Sequence, residues 1–227
     1  MFHDKKISII IPCFNEQFGL KNIFDSMLDF IDEVIVVDNN STDKSKKIAE
    51  IYATKVVTEE QRGYGAALLK GLKYIKGDIV ALMDGDGSYP IGSLKTILIF
   101  MEDGKFDFVS GCRFPLADFK VMPIENRLCN YFISGLIRLI FRIELRDSKS
   151  GIMVFKKDII DIVKVNSIGM GFSQELKIKA WLNSNIRCGE IHIPYSARMG
   201  RTKFRKINDS SKNLLELFFL LKELKDS

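Results

Sequence analysis

A Rossmann-like α/β fold, with a mostly parallel central sheet flanked by helices, is the architecture the sequence predicts, and three observations carry it. Short β-branched runs alternate with longer segments of helical period through the first half of the chain, the pattern of βα units feeding a parallel sheet. The chain has 227 residues, 46% of them hydrophobic, which suffices for one well-buried α/β core and is tight for two. Acidic and amide residues follow three of the expected strands, at the sheet edge where open α/β folds bind ligands.

The first strand is expected over 7–11, an isoleucine-rich run that Pro12 ends. The run is too short for a secretory signal, so secretion is not expected. A helical period covers about 18–30, and strands at 34–37 and 55–57 flank a helix over 43–52 with Ser41 or Thr42 as N-cap. A helix over 64–75, with Gly77 as C-cap, leads to a strand at 78–83, a helix over 91–101 and a strand at 106–110. Beyond Phe114 the pattern loosens around Pro115 and Pro123, and then a strongly apolar helix is expected over 126–142. A strand at 152–155, a helix over 173–183 and a strand at 186–193 complete the core. The basic stretch 198–206 reads as a flexible loop and 214–224 as an amphipathic helix.

Composition narrows the function classes. A formal net charge of +5 favours phosphate-bearing small molecules or an anionic membrane surface over a nucleic-acid partner. Cys13, Cys112, Cys129 and Cys188 lack metal-site spacing and read as reduced thiols of a cytoplasmic protein. The most apolar stretch, 128–143, contains Arg138 and Arg142 and falls short of the roughly 20 residues a span needs, so any membrane role is expected to be peripheral.

Asp84 and Asp86, separated by Gly85, follow the apolar run 79–83. Two hard oxygen ligands two residues apart suit Mg²⁺ or Mn²⁺ bridging two phosphates, and without a cation they repel and raise one pKa. Ser88 stands beside them as a third oxygen; alone, the pair also reads as an Asx-rich turn. Asp38 ends the second strand, placed to accept hydrogen bonds from a base imide or ribose hydroxyl, or to serve as a turn or capping residue. Pro12 fixes the exit from the first strand and leaves Asn15 and Glu16 to edge a nucleotide pocket. Gly63 and Gly65 open a helix, a place for a phosphate or sugar neighbour. The dinucleotide fingerprint fails because Leu68 holds its last glycine position, which disfavours a nicotinamide dehydrogenase.

Four blocks occur in order: Ile-Ile-Pro-Cys-Phe-Asn-Glu, Val-Val-Asp-Asn-Asn-Ser-Thr-Asp, Gly-Tyr-Gly-Ala-Ala-Leu and Met-Asp-Gly-Asp-Gly-Ser-Tyr-Pro. With them the chain resembles family 2 glycosyltransferases, and it is most similar to the branch that moves a sugar onto a polyprenyl (dolichyl-type) phosphate. Further matching blocks are 110–113, 147–151, Glu175 within 172–176, and 198–203. The resemblance implies a single GT-A domain: a nucleotide-sugar half over about 1–112, an acceptor half over 113–206 and a C-terminal helix over 207–227. It implies that Pro12, Phe14, Glu16 and Asp38 bind the nucleoside of a UDP- or GDP-sugar, with glucose or mannose favoured. Asp84 and Asp86 would hold Mg²⁺ or Mn²⁺ and the diphosphate, and Arg113, Arg127, Arg198 and Lys203 would meet phosphates. The chain departs from relatives at Ser88, where many carry Gln, and at Met153, where many carry Arg or Lys.

The implied reaction is an inverting displacement. A phosphate acceptor, with a second pKa of about 6, needs no strong base. A saccharide hydroxyl does, and Glu175 or Asp147 is then the candidate. Both also read structurally, Glu175 as a solvated helix residue and Asp147 as a turn cap. The apolar helix over 126–142 reads either as core or as a bilayer-resting element. A non-catalytic nucleotide-binding protein is a further alternative, against which the intact carboxylate pair argues.

Overall fold

A computed structural model describes residues 2–200 and 220–221. Its elements run β1 (Ile7–Cys13), α1 (Gln17–Asp25), β2 (Glu33–Asp38), α2 (Ser45–Tyr52), β3 (Lys55–Thr58), α3 (Tyr64–Leu72), β4 (Ile79–Leu82), α4 (Ser93–Asp103), β5 (Phe108–Cys112), α5 (Ile124–Phe141), β6 (Met153–Lys156), α6 (Ile159–Ile162), α7 (Phe172–Leu182) and β7 (Cys188–His192). The strands form one sheet in the order β3-β2-β1-β4-β6-β5-β7. Neighbours are parallel except at β6, which runs antiparallel to both β4 and β5.

Period-two alternation sorts the core onto the two faces. Ile7, Ile9, Ile11, Val34, Val36, Ile79 and Ala81 pack with Leu20, Ala49 and Leu94 from α1, α2 and α4. Ile10, Ile35, Val37, Val80 and Leu82 pack with Leu68 and Leu176 from α3 and α7. Strands covered on both faces are apolar throughout, which is why these runs read so clearly in sequence. The strand order turns back between β1 and β4, and the crevice beyond their carboxyl ends is the ligand position of such folds.

Several expected boundaries shift. The first helix ends at Asp25, not near residue 30, because Ser26 and Met27 donate to Ile23 and Phe24 in tightened turns. Met27, Leu28, Phe30 and Ile31 then fold under the core instead of extending one helix face. Ser41 and Thr42 do not cap α2: the preceding residue is Lys44, and Asp43 Oδ1 accepts from Ser45 N at 2.9 Å. Gly77 is not a C-cap either, since α3 ends at Leu72. It allows a close approach to β1, where its N–H donates to Ser8 Oγ at 2.8 Å and a Cβ would crowd Ser8 N. A 3-10 turn at Phe119–Val121 and the short α6 were not anticipated. Of the basic stretch, Arg198–Gly200 is described, and Leu220 and Leu221 are helical within the expected C-terminal helix. The rest of both segments, including Arg201, Lys203, Arg205 and Lys206, lies outside the described residues.

Candidate active site

β1 and β2 end level, with Cys13 beside Asp38, and β4 ends at Leu82 beside Ile10, so that its trailing turn runs on alongside the end of β1. Their trailing residues therefore share one edge. Glycines let the turn after β4 sit close against its neighbours. A Cβ on Gly19 of α1 would collide with the Gly85 carbonyl, and one on Gly85 would lie 3.0 Å from the Pro12 carbonyl. Gly87 has φ +73°, a left-handed conformation that favours glycine. From the opposite side, a Cβ on Gly151 would collide with Asp84 Oδ2, so this glycine lets the 147–151 loop close onto the carboxylate. That loop is held by the buried Tyr89, whose hydroxyl accepts from Gly151 N at 2.8 Å.

The two carboxylates differ. Asp84 Oδ1 is buried without a hydrogen-bond partner. Burial first, and then the Asp86 charge, push the Asp84 pKa up to about 6, while the Tyr64 hydroxyl and the Arg198 and Arg113 charges act the other way. Asp86 is 5% exposed and well satisfied: its Oδ1 accepts from Ser88 N at 2.9 Å and Ser88 Oγ at 2.6 Å. Its Oδ2 lies 2.8 Å from Arg198 Nε, and Arg198 Nη2 donates to Glu16 Oε1 at 3.2 Å. A guanidinium thus stands as counter-charge between Glu16 and the carboxylate pair. Backbone bonds from Met199 N to Asp86 O and from Ser196 N to Ser88 O, each 2.9 Å, fasten its loop there.

An orphaned carboxylate oxygen beside a second carboxylate already facing a cation fits a divalent metal. Among the described residues no group of three or more His, Cys, Asp or Glu converges as a ligand set. Two protein carboxylates would thus leave the remaining positions to water or a ligand's phosphates, as Mg²⁺ prefers. Ser88, expected as a ligand, orients Asp86 through its hydroxyl and backbone N–H.

At the end of β1, Pro12 and Phe14 are partly buried, and the Arg62 guanidinium lies 4.5 Å from the centre of the Phe14 ring. Asp38 is 2% exposed, and its carboxylate accepts only long bonds from Ser41 N, at 3.3 and 3.4 Å. Asn15 sits at φ +54°, and its Oδ1 accepts from Thr42 N at 2.7 Å and Asp43 N at 3.3 Å. Its carboxamide oxygen therefore ties two loops together. Asn39, unremarked in the sequence, does similar work: Nδ2 donates to Glu59 O and Gln61 O, and Oδ1 accepts from Gly63 N at 2.9 Å.

The glycines at the start of α3, Glu175 and Asp147, all expected at the site, are engaged by hydrogen bonds within the fold. The amides a phosphate would need at the start of α3 are already used, because Gly65 N donates to Gly169 O at 3.1 Å and Ala66 N to Ile168 O at 2.9 Å. Gly63 and Gly65 serve close packing instead: a Cβ on either would collide with the carbonyl of Ile168 or Ser167. Glu175 Oε1 accepts from Asn166 N at 2.9 Å and Lys179 Nζ at 2.7 Å, and its Oε2 from Ser167 N at 2.8 Å. Both of its oxygens thus hold the 165–171 loop. Asp147, fully buried, takes Arg113 Nε at 2.7 Å and Arg113 N at 3.0 Å on Oδ2, and Arg113 Nη2 at 2.8 Å on Oδ1. Burial opposes its charge, but the Arg113 charge and hydrogen bonds hold its pKa below the usual carboxylate value.

Arg113 pairs with Asp147 while its charge reaches Asp84. Arg127 lies apart from this cluster, 4.9 Å from the Phe119 ring, with a buried Nε that has no hydrogen-bond partner. Lys177 carries no signal in the local sequence. It is wholly buried and donates to Asp147 O at 3.1 Å and Ser150 O at 2.8 Å, and burial pushes its pKa down to about 8. A lysine in an amphipathic helix ordinarily reads as solvent-facing, so only tertiary contacts reveal this one.

The description "Glycosyl transferase family 2" belongs to a family model that matches residues 8–123. A low-salt glycan biosynthesis hexosyltransferase of Haloferax volcanii is 24% identical over 210 residues, covering 89% of this chain and 51% of that protein. A dolichyl-phosphate hexose transferase of the same organism is 28% identical over 201 residues, covering 87% and 86%. The chain spans about half the length of the first relative and most of the second. Glucosyl-3-phosphoglycerate synthase from Mycobacterium tuberculosis, crystallised with Mn²⁺, UDP-glucose and phosphoglyceric acid, superimposes with a TM-score of 0.77 at 19% identity. That alignment covers 96% of this chain and 80% of the other, and it shows a shared GT-A fold.

Proposed function

The chain belongs to glycosyl transferase family 2, and from that premise we propose that it transfers a hexosyl unit from a UDP- or GDP-sugar to a polyprenyl phosphate with inversion. Asp84 and Asp86 would hold Mg²⁺ or Mn²⁺ against the donor diphosphate, and the metal would offset negative charge on the departing nucleoside diphosphate. Asp38, Phe14, Pro12 and Glu16 lie where the nucleoside enters. Arg198, drawn off the carboxylates once a cation replaces it, is placed to meet a phosphate, and Arg113 contributes fixed positive charge behind Asp84.

One observation carries the choice of acceptor: both candidate bases are engaged elsewhere. Asp147 is locked to Arg113 with a depressed pKa, and Glu175 receives two backbone amides and a lysine. A hydroxyl nucleophile needs a base beside it, whereas an ionised phosphate oxygen does not. The dolichyl-phosphate hexose transferase among the relatives supports the same choice.

Glu175→Gln tests it. On this reading the variant loses only a fewfold in transfer rate, through the 165–171 loop. A base would cost about 10²- to 10⁴-fold with nucleotide binding intact, and that result would reassign the acceptor to a saccharide hydroxyl.

A further inference from the structure

Among the described residues, only one side of α5 is packed. Asn130, Ile133, Ser134 and Ile137 face inward, and Ser134 Oγ donates to Ser148 Oγ at 2.9 Å. Ser148 belongs to the loop that carries Gly151 onto Asp84. On the other side Ile124, Leu128, Tyr131, Phe132 and Leu139 recur at helical spacing and are exposed, Leu139 by 77%. Phe119, in the turn before the helix, is also exposed. Monomeric proteins keep contiguous apolar patches small, so a stripe of this kind marks a contact surface.

Charge identifies the partner. Arg127 and Arg138 border the stripe along one flank, Lys120 precedes the helix and Arg142 follows it, against Asp118 and Glu125 near the start. An apolar face edged by arginines is the composition of a helix lying in a headgroup region, with aliphatic and aromatic side chains below the phosphates. Among the described residues no helix is long and apolar enough to cross a membrane.

We propose that this face of α5 docks onto an anionic lipid bilayer. The inference rests on the polyprenyl-phosphate reading and deepens it, because it says how a lipid-borne acceptor meets the site. A helix is about 10 Å across, so a docked α5 has lipid headgroups on one side and, on the other, the loop that closes on Asp84.

The test is flotation of the full chain with vesicles of phosphatidylcholine, with and without phosphatidylglycerol. Wild type is expected to float with the anionic vesicles, and added salt should weaken it. Arg138→Glu, and the double variant Phe132→Ser with Leu139→Ser, should each lose about tenfold or more in vesicle affinity while retaining wild-type melting temperature and Mn²⁺ binding. Wild type that stays with the unbound protein, or variants that float unchanged, would overturn the proposal. So would a wild-type dimer that the double variant converts to monomer without altering flotation, since the stripe would then join two copies. Transfer to detergent-dispersed polyprenyl phosphate separates the two readings. Transfer with unchanged flotation of the variants sinks docking alone, and the expected flotation without transfer sinks the acceptor reading alone.

Discussion

At Asp84 a carboxylate oxygen is buried with no hydrogen-bond donor, next to a second carboxylate. Such an arrangement weakens the fold in the absence of a cation. The sign follows from the raised pKa: the folded state favours the neutral acid, so stability is lost as pH rises from 3.8 through about 6. Asp84→Asn should therefore raise stability at neutral pH by on the order of 1–2 kcal/mol and abolish Mn²⁺ binding. Urea melts at low and neutral pH check the first part, with the gap between variant and wild type closing at low pH; calorimetry checks the second. Arg198 makes an opposite prediction. Because its guanidinium already faces Asp86 at 2.8 Å, Arg198→Ala should bind Mn²⁺ alone severalfold more tightly and yet transfer sugar more slowly. Paramagnetic resonance of free Mn²⁺ measures the affinity, and weaker binding would show that Arg198 does not compete with the cation.

Among the elements, the 147–151 loop depends on a charged core assembled from Arg113 just after β5, the loop itself and α7. Asp147 and Arg113 pair with no exposed edge on the carboxylate, and Lys177 caps two loop carbonyls from beneath. Asp147→Asn leaves a buried guanidinium without its counter-ion and should destabilise the protein by about 3–5 kcal/mol in urea unfolding. The depressed pKa fixes the pH window: this stabilisation is complete above 3.8 and is lost as pH falls toward the lower folded value, a dependence the variant should lack. These residues also mark where sequence reading stops. β1, β2 and β4 were legible because strands buried on both faces have few alternatives, and the carboxylates at their ends were legible by position. Glu175 is held by neighbours in sequence, Asn166, Ser167 and Lys179, whereas the engagement of Asp147, and the filling of the α3 amides by Ile168 and Gly169, depend on partners brought in by tertiary folding, which no local pattern reports. The overlong first helix has the same origin: Met27, Leu28, Phe30 and Ile31 are apolar enough to continue a helix, yet they cover the end of the core.

For the molecule as a whole, the sheet turns back between β1 and β4, gathering Glu16, Asp38, the carboxylate pair and the Arg198 loop at one edge. Opposite stand α5, α7 and the loop between them, where Asp147 and Glu175 are both held in ion pairs. The most direct measurement is transfer of labelled hexose from UDP- and GDP-sugars with Mn²⁺ to a polyprenyl phosphate, with lipid extraction and Asp86→Asn alongside. The account predicts metal-dependent label in the lipid phase that the variant abolishes. Label absent from lipid but present on a saccharide hydroxyl, with Glu175→Gln inactive, would contradict it.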